Sequence, residues 1–176
     1  MARIEITTLV RHYRQLEKEI DALTDQLTKL VENSVEYEML QTVPGLGGTT
    51  IVELLAEIGS FSHCQHPRQL LKLAGLTIRE NSSGQHKGQK RISKRGRRRL
   101  RAILFRVMMP MIRHNEAFKK LHTTYYTTRS TNLYEKTSVI VLCGKLLKIL
   151  HTISTKHVPF DVERMMWDFP KLEEAS

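Results

Sequence analysis

This sequence predicts a mainly α-helical fold, in which an N-terminal coiled-coil helix leads into a helix-hairpin-helix-like helical domain with one basic loop or short β-hairpin. Three observations predict it. Ile6, Leu9, Tyr13, Leu16, Ile20, Leu23, Leu27 and Leu30 recur at alternating steps of three and four, a heptad seam sustained over more than three heptads. Apolar faces at helical spacing return at Leu100, Ile103, Leu104, Val107, Met108 and Met111, and again at Val139, Val141, Leu142, Leu146, Leu147 and Leu150. Strand signal is scarce outside Leu76 to Ile92.

The elements follow in order. Residues 1–36 form the coiled-coil arm: Arg11, Glu17, Lys18, Asp21 and Lys29 fill the positions between the seam residues, and Asn33-Ser34 loosens or ends the helix. Residues 37–176 form the helical domain. Within 37–60, Pro44, Gly45, Gly47 and Gly48 make a tight turn, Thr49 and Thr50 are placed to cap, and Ile51 to Ile58 reads as a short amphipathic helix. Glycines without a side chain let backbone approach a phosphate while N–H groups point out at a helix N-terminus, so Gly45, Gly47 and Gly48 are candidate DNA contacts. An ordinary tight helix connection fits the glycines alone equally well.

Pro67 to Gly75 is a short helix opened by proline and closed by glycine, with Leu70, Leu71, Leu73 and Ala74 available to pack inward. The 76–106 region holds the loop or β-hairpin with Ser82 and Ser83, followed by a basic helix expected from Ser93, in which Pro110 should kink or weaken the last turns. Residues 115–176 supply two further helices and a tail with Phe160, Trp167 and Phe169 before an acidic end.

Charge bounds the partners. The chain of 176 residues carries 28 Lys and Arg against 18 Asp and Glu, a formal +10, and a protein so basic seeks polyanions, nucleic acid first. A membrane partner is not expected: the longest uncharged apolar stretch, Ser138 to Gly144, stops at Lys145, and the N-terminus lacks a signal-peptide core. A cytoplasmic, nucleoid-associated protein is the expectation. The two cysteines, Cys64 and Cys143, lack CxxC spacing, and His63, Cys64 and His66 would need ligands from elsewhere to hold a metal, so no metal site is assigned. The dense run Lys87, Lys90, Arg91, Lys94, Arg95, Arg97, Arg98, Arg99 and Arg101, with Arg79 before it, repels itself without an anionic partner and is the expected DNA or RNA contact. It should give salt-dependent backbone affinity and little sequence readout.

The ordered stretches VPGLGGTTIVELLAEIG, LLKLAGLTIRENSSGQHKGQKRISKRGRRRLRAIL, GKLLKIL and PFD, between about Tyr37 and Asp161, resemble the C-terminal transposase domain of the serine-dependent insertion-sequence recombinases, the IS-one-ten group of bridge-RNA-guided recombinases. The resemblance implies DNA cleavage and strand exchange in transposition through a serine that attacks a scissile phosphate and becomes joined to DNA. The matching residue is Ser83, before Gly84, with Ser82 as the fallback. It also implies a guide RNA as partner and, in family members, an N-terminal RuvC-like domain whose acidic residues bind magnesium. The chain begins almost directly in the coiled coil, so it resembles a C-terminal half, and no cofactor is expected within it.

A serine hydroxyl needs a base or a polarising environment, and the pentavalent phosphate needs positive charge on its non-bridging oxygens. Arg79, Lys87, Lys90, Arg91, Lys94 and Arg95 can supply the charge. His86 could accept the proton, but a lone histidine in a basic loop more often contacts phosphate or solvent, and Glu80 more often caps or pairs locally. The coiled coil is expected to form a homo-oligomer that brings two serine loops together. The alternative is a truncated, non-catalytic module that binds nucleic acid and oligomerises.

Overall fold

A computed structural model of the chain describes residues 2–79, 82–83, 86–87, 91–127 and 135–167. Eight α-helices occur among them: α1 (Ala2–Val31), α2 (Val35–Gln41), α3 (Gly48–Ile58), α4 (Pro67–Leu73), α5 (Arg98–His114), α6 (Glu116–Thr127), α7 (Glu135–Lys156) and α8 (Val162–Trp167). Four two-residue strands lie between α4 and α5: β1 (Ile78–Arg79), β2 (Ser82–Ser83), β3 (His86–Lys87) and β4 (Arg91–Ile92). The fold is mainly α, as the periodicities predict.

The broad apolar face of α7 explains the architecture. Leu142, Cys143, Leu146, Leu147 and Leu150 are fully buried, and α2, α4, α5, α6 and a 3-10 turn at Phe61–His63 all pack against this helix. Thr137–Lys156 is long and apolar enough by composition to cross a membrane, although Lys145 and Lys148 interrupt it and no uncharged apolar run of that length occurs, as expected from the sequence. The helix places its apolar side chains inside the protein core.

On α5, all six residues of the predicted face are buried, with Leu100, Leu104 and Met108 fully enclosed. Pro110 neither breaks nor ends α5, which continues to His114. Burial of Met108 and Met111 on either side of the proline outweighs the one missing N–H. Asn115 then closes α5 through its N–H to the Met111 carbonyl (2.9 Å), while its Oδ1 accepts from the Ala117 N–H (3.0 Å) at the start of α6.

Ser34 separates α1 from α2: its hydroxyl donates to the Val31 carbonyl (2.6 Å) and accepts from the Tyr37 N–H (3.2 Å). The hairpin 42–47 is anchored by buried Val43 and Leu46. Phe160 N–H donates to Thr42 Oγ1 (2.8 Å), and Asp161 Oδ1 accepts from Glu163 N–H (2.8 Å) to start α8. Of the expected tail anchors, Phe160 packs on the core; Phe169 and the acidic end lie outside the described residues. The helix α1 packs on α3, yet its seam faces solvent: Ile6, Leu9, Tyr13, Leu16, Ile20, Leu23, Leu27 and Leu30 are all exposed.

Candidate nucleic-acid interface and serine ribbon

The serine segment grows out of the end of α4. Gly75, at φ 68°, closes that helix: its N–H donates to the Lys72 carbonyl (3.0 Å) and the Leu76 N–H to the Leu71 carbonyl (2.8 Å), the paired bonds of a Schellman motif. Leu76, the residue after the glycine, is buried and anchors the exit.

The returning chain clamps onto this same end. Ser93 N–H donates to the Thr77 carbonyl (2.7 Å), Lys94 N–H to the Gly75 carbonyl (3.0 Å) and Arg97 N–H to the Leu73 carbonyl (2.7 Å). Gly96 is seated so tightly that an added Cβ would lie 2.4 Å from the Leu73 oxygen and 2.6 Å from the Gly75 nitrogen. A helix starting at Ser93 was the sequence expectation. Instead α5 starts at Arg98, because residues 93–97 are needed in extended and left-handed conformations, Lys94 at φ 52° among them, to satisfy the carbonyls at the end of α4.

From the clamp the chain extends as an antiparallel ribbon. Ile78 faces Ile92 and Arg79 faces Arg91 in the β1–β4 pair; Ser82 faces Lys87 and Ser83 faces His86 in the β2–β3 pair. The short β-hairpin expected between Leu76 and Ile92 is therefore present, and the two serines hold successive strand positions with different cross-strand partners. Lys90, Glu80 and the Gly84 that follows Ser83 lie outside the described residues.

The structure sorts the arginine run into two groups. Arg97 donates to the Glu57 carbonyl, Arg99 lies 3.5 Å from the Glu57 carboxylate, Arg106 pairs with Glu53, and Arg101 Nη1 donates to the Ala74 carbonyl (2.9 Å). These side chains bind α5 to α3 and α4. Arg79, Lys94, Arg95 and Arg98 are exposed, and Arg91 is exposed across the ribbon from Arg79. Sequence spacing could not separate the groups, because the acceptors come from residues some 40 positions away.

The hairpin glycines also divide. Gly45 turns at φ 90° against Met111, and an added Cβ at Gly48 would lie 2.7 Å from the Tyr37 hydroxyl, so packing accounts for both. At Gly47 a Cβ would meet nothing within 4 Å. Gly47 itself is the N-cap of α3, with no side-chain hydrogen bond, so the cap expected from Thr49 or Thr50 does not form. Both threonines already lie inside the helix, which starts a turn earlier than the apolar pattern suggests. Among the described residues, no side chain caps the first turn of α3, which opens at an exposed glycine.

His66 and the Cys64 carbonyl are engaged in the fold. His66 Nδ1 accepts from the Arg68 N–H (3.0 Å) and caps α4 in a capping box with Gln69, while the Cys64 carbonyl bonds His151 Nε2 (2.6 Å).

Residues 37–123 match the model of the Transposase IS116/IS110/IS902 family. The chain is 31% identical over 157 residues to the pilin gene-inverting protein of Moraxella lacunata, covering 86% of this chain and 47% of that protein. It is 30% identical over 113 residues to the transposase for insertion sequence element IS1111A of Coxiella burnetii, covering 61% and 31%. Against the transposase for insertion sequence element IS1328 of Yersinia enterocolitica it is 24% identical over 155 residues, covering 88% and 46%. The chain spans about half the length, or less, of these curated relatives. The segment that carries the glycine hairpin, the clamp, the serine ribbon and α5 is the segment that matches the transposase IS116/IS110/IS902 family.

Proposed function

We propose that this chain is the DNA-binding, serine-bearing part of a transposase or DNA-inverting recombinase, and that Ser83 attacks a scissile phosphate to form a phosphoserine link to DNA. The observation that carries this reading is the facing pair Arg79 and Arg91 at the root of the ribbon. Both residues are exposed at the ribbon root, and two guanidinium groups on facing strand positions can hold one phosphate between them. Arg79 stands three positions before Ser82 and Arg91 four after Lys87, so an anion held by the pair lies beside the serine segment in the chain.

The reaction divides as follows. The serine hydroxyl forms the new P–O bond, its proton passes to a base, and the leaving sugar oxygen takes up a proton; the arginines neutralise the non-bridging oxygens. His86 holds the register position opposite Ser83, and magnesium-assisted activation by an acidic domain of the kind the resemblance implies is the other source of a base. Lys94, Arg95 and Arg98, with the α3 N-terminus at Gly47, add phosphate contacts that position the duplex without reading bases. Guide RNA, acting at the nucleoid, would supply target choice.

Oligomerisation belongs to the same proposal. In the α1 seam Ile6, Tyr13, Ile20 and Leu27 occupy a positions and Leu9, Leu16, Leu23 and Leu30 occupy d positions. Two of the four a positions are β-branched isoleucine, and β-branched residues at a with leucine at every d favour two parallel strands. The parallel register sets Glu5 against Val10, His12 against Glu17 and Glu19 against Thr24 at the flanks, with no like-charge pair. Two ribbons then lie at the same end of one particle.

The test is to trap the covalent intermediate of a complete recombinase carrying this chain and digest it with trypsin and nuclease. A nucleotide mass on the peptide Glu80 to Lys87, located at Ser83, is expected. An adduct on any other peptide contradicts the proposal.

A further inference from the structure

A groove of about 1300 Å³ runs along the outer side of α7, bounded at one lip by Thr77 and Ile78 of the ribbon root and at the other by residues 158–165. Its floor is apolar, with Leu71, Val141, Gly144 and Ile149. The rim carries Lys145, Lys148 and Lys156 from α7, Arg68 from α4 and Arg164 from α8. Its carboxylates are Asp161, whose Oδ1 is engaged in starting α8, and Glu163.

Positions 145, 148, 152 and 156 follow each other at steps of three and four, so they form one stripe on α7 about 16 Å long. Lys148, Thr152 and Lys156 are exposed. A core helix needs polar residues on its outer side, but it does not need three of the four to be lysine beside an open apolar floor. Single strands are held without sequence preference by a cationic stripe that tracks the phosphates and aromatic side chains on which bases stack, and Tyr125 and Phe160 line this groove.

We infer that this groove binds a single nucleic-acid strand, with the phosphates along the α7 lysines and the bases against the floor. Among the described lining residues, Arg68, Lys148, Lys156 and Arg164 stand against two carboxylates even with Lys145 set aside, which favours a polyphosphate over a peptide. The groove also opens at Ile78, an exposed residue of β1 whose strand leads directly toward Ser82 and Ser83. A strand lying in the groove is therefore led to the ribbon, which gives the chain a second nucleic-acid site beyond the arginine segment. The inference rests on the reading of this chain as one that acts on DNA. DNA and RNA strands share the recognised chemistry.

Fluorescence anisotropy of the intact chain with labelled 20-nucleotide DNA and RNA strands, from about 0.05 to 0.3 M salt, tests it. The variant Lys148→Gln/Lys156→Gln is compared with Arg11→Gln/Lys18→Gln, which removes the same charge from α1. The groove variant is expected to bind both strands more weakly and to make the slope of log K against log salt shallower by about 1.4, two phosphates at about 0.7 each. The α1 variant should keep the wild-type slope. Equal slopes for the groove variant and the wild type, or equal losses in both variants, overturn the inference. So does a groove variant that loses an acidic amphipathic peptide while keeping both strands. Ser83→Ala should leave every slope unchanged, so failure of the serine assignment and failure of the groove produce different records.

Discussion

Arg79 and Arg91 face each other across the two-residue β1–β4 ribbon, one pair outward from Ile78 and Ile92. Like charges on directly opposite strand positions weaken the pairing of a two-stranded ribbon. Arg79→Gln is accordingly expected to slow amide exchange at the ribbon in the free protein and to weaken DNA binding. Hydrogen exchange and anisotropy on the same sample check both; a variant whose ribbon exchanges faster and whose DNA affinity is unchanged would mean that the two arginines do not share an anion.

Two glycines should separate stability from binding. Gly96→Ala drives a Cβ into the Leu73 carbonyl and the Gly75 nitrogen, and it is expected to cost about 2–4 kcal/mol in urea denaturation. Gly47→Ser meets open space and adds a favoured N-cap oxygen, so stability should hold or rise by a few tenths of a kcal/mol. The same serine fills the approach to the α3 N–H groups. Its expected signature is weaker DNA binding in a fully stable protein.

Much of this was legible in the sequence. The faces of α5 and α7, the Pro67 to Gly75 helix and the hairpin around Ser82 and Ser83 follow from periodicity and turn chemistry, and the structure places them there. The start of α5 was not legible. Ser93 to Arg97 has good local helix chemistry, and it is overruled by carbonyls of α4 some twenty residues earlier. For the same reason the run of arginines read as one surface, although Arg97, Arg101 and Arg106 hold α5 to its neighbours. The α7 lysines were present in the sequence as a three-and-four stripe, but the stronger apolar periodicity of the same helix concealed them.

The exposed seam of α1 makes a prediction about assembly. Leu23 is 59% exposed in the single chain, so Leu23→Asp should leave the helical domain folded by circular dichroism and halve the mass measured by sedimentation. An unchanged mass would show that the seam does not join two copies.

Burial pushes the Cys143 thiol up to about 12 from its ordinary value of 9.0. At pH 8 it should resist alkylation until the protein unfolds. A raised value in the fold means that this thiol's contribution to stability is complete below about pH 9 and is lost as the pH climbs toward 12. Over that window the wild type should lose stability more steeply than Cys143→Ala, by up to about 1.4 kcal/mol per pH unit. Parallel pH profiles in urea denaturation would contradict this.

The serines decide the central claim. Ser82 and Ser83 occupy neighbouring strand positions opposite Lys87 and His86, so removing either hydroxyl leaves the ribbon's backbone pairing intact. The direct measurement is covalent adduct formation with cognate DNA by a complete recombinase carrying this chain, in wild-type, Ser82→Ala and Ser83→Ala forms. The account predicts an adduct in the first two and none in Ser83→Ala; an undiminished adduct in Ser83→Ala would contradict it.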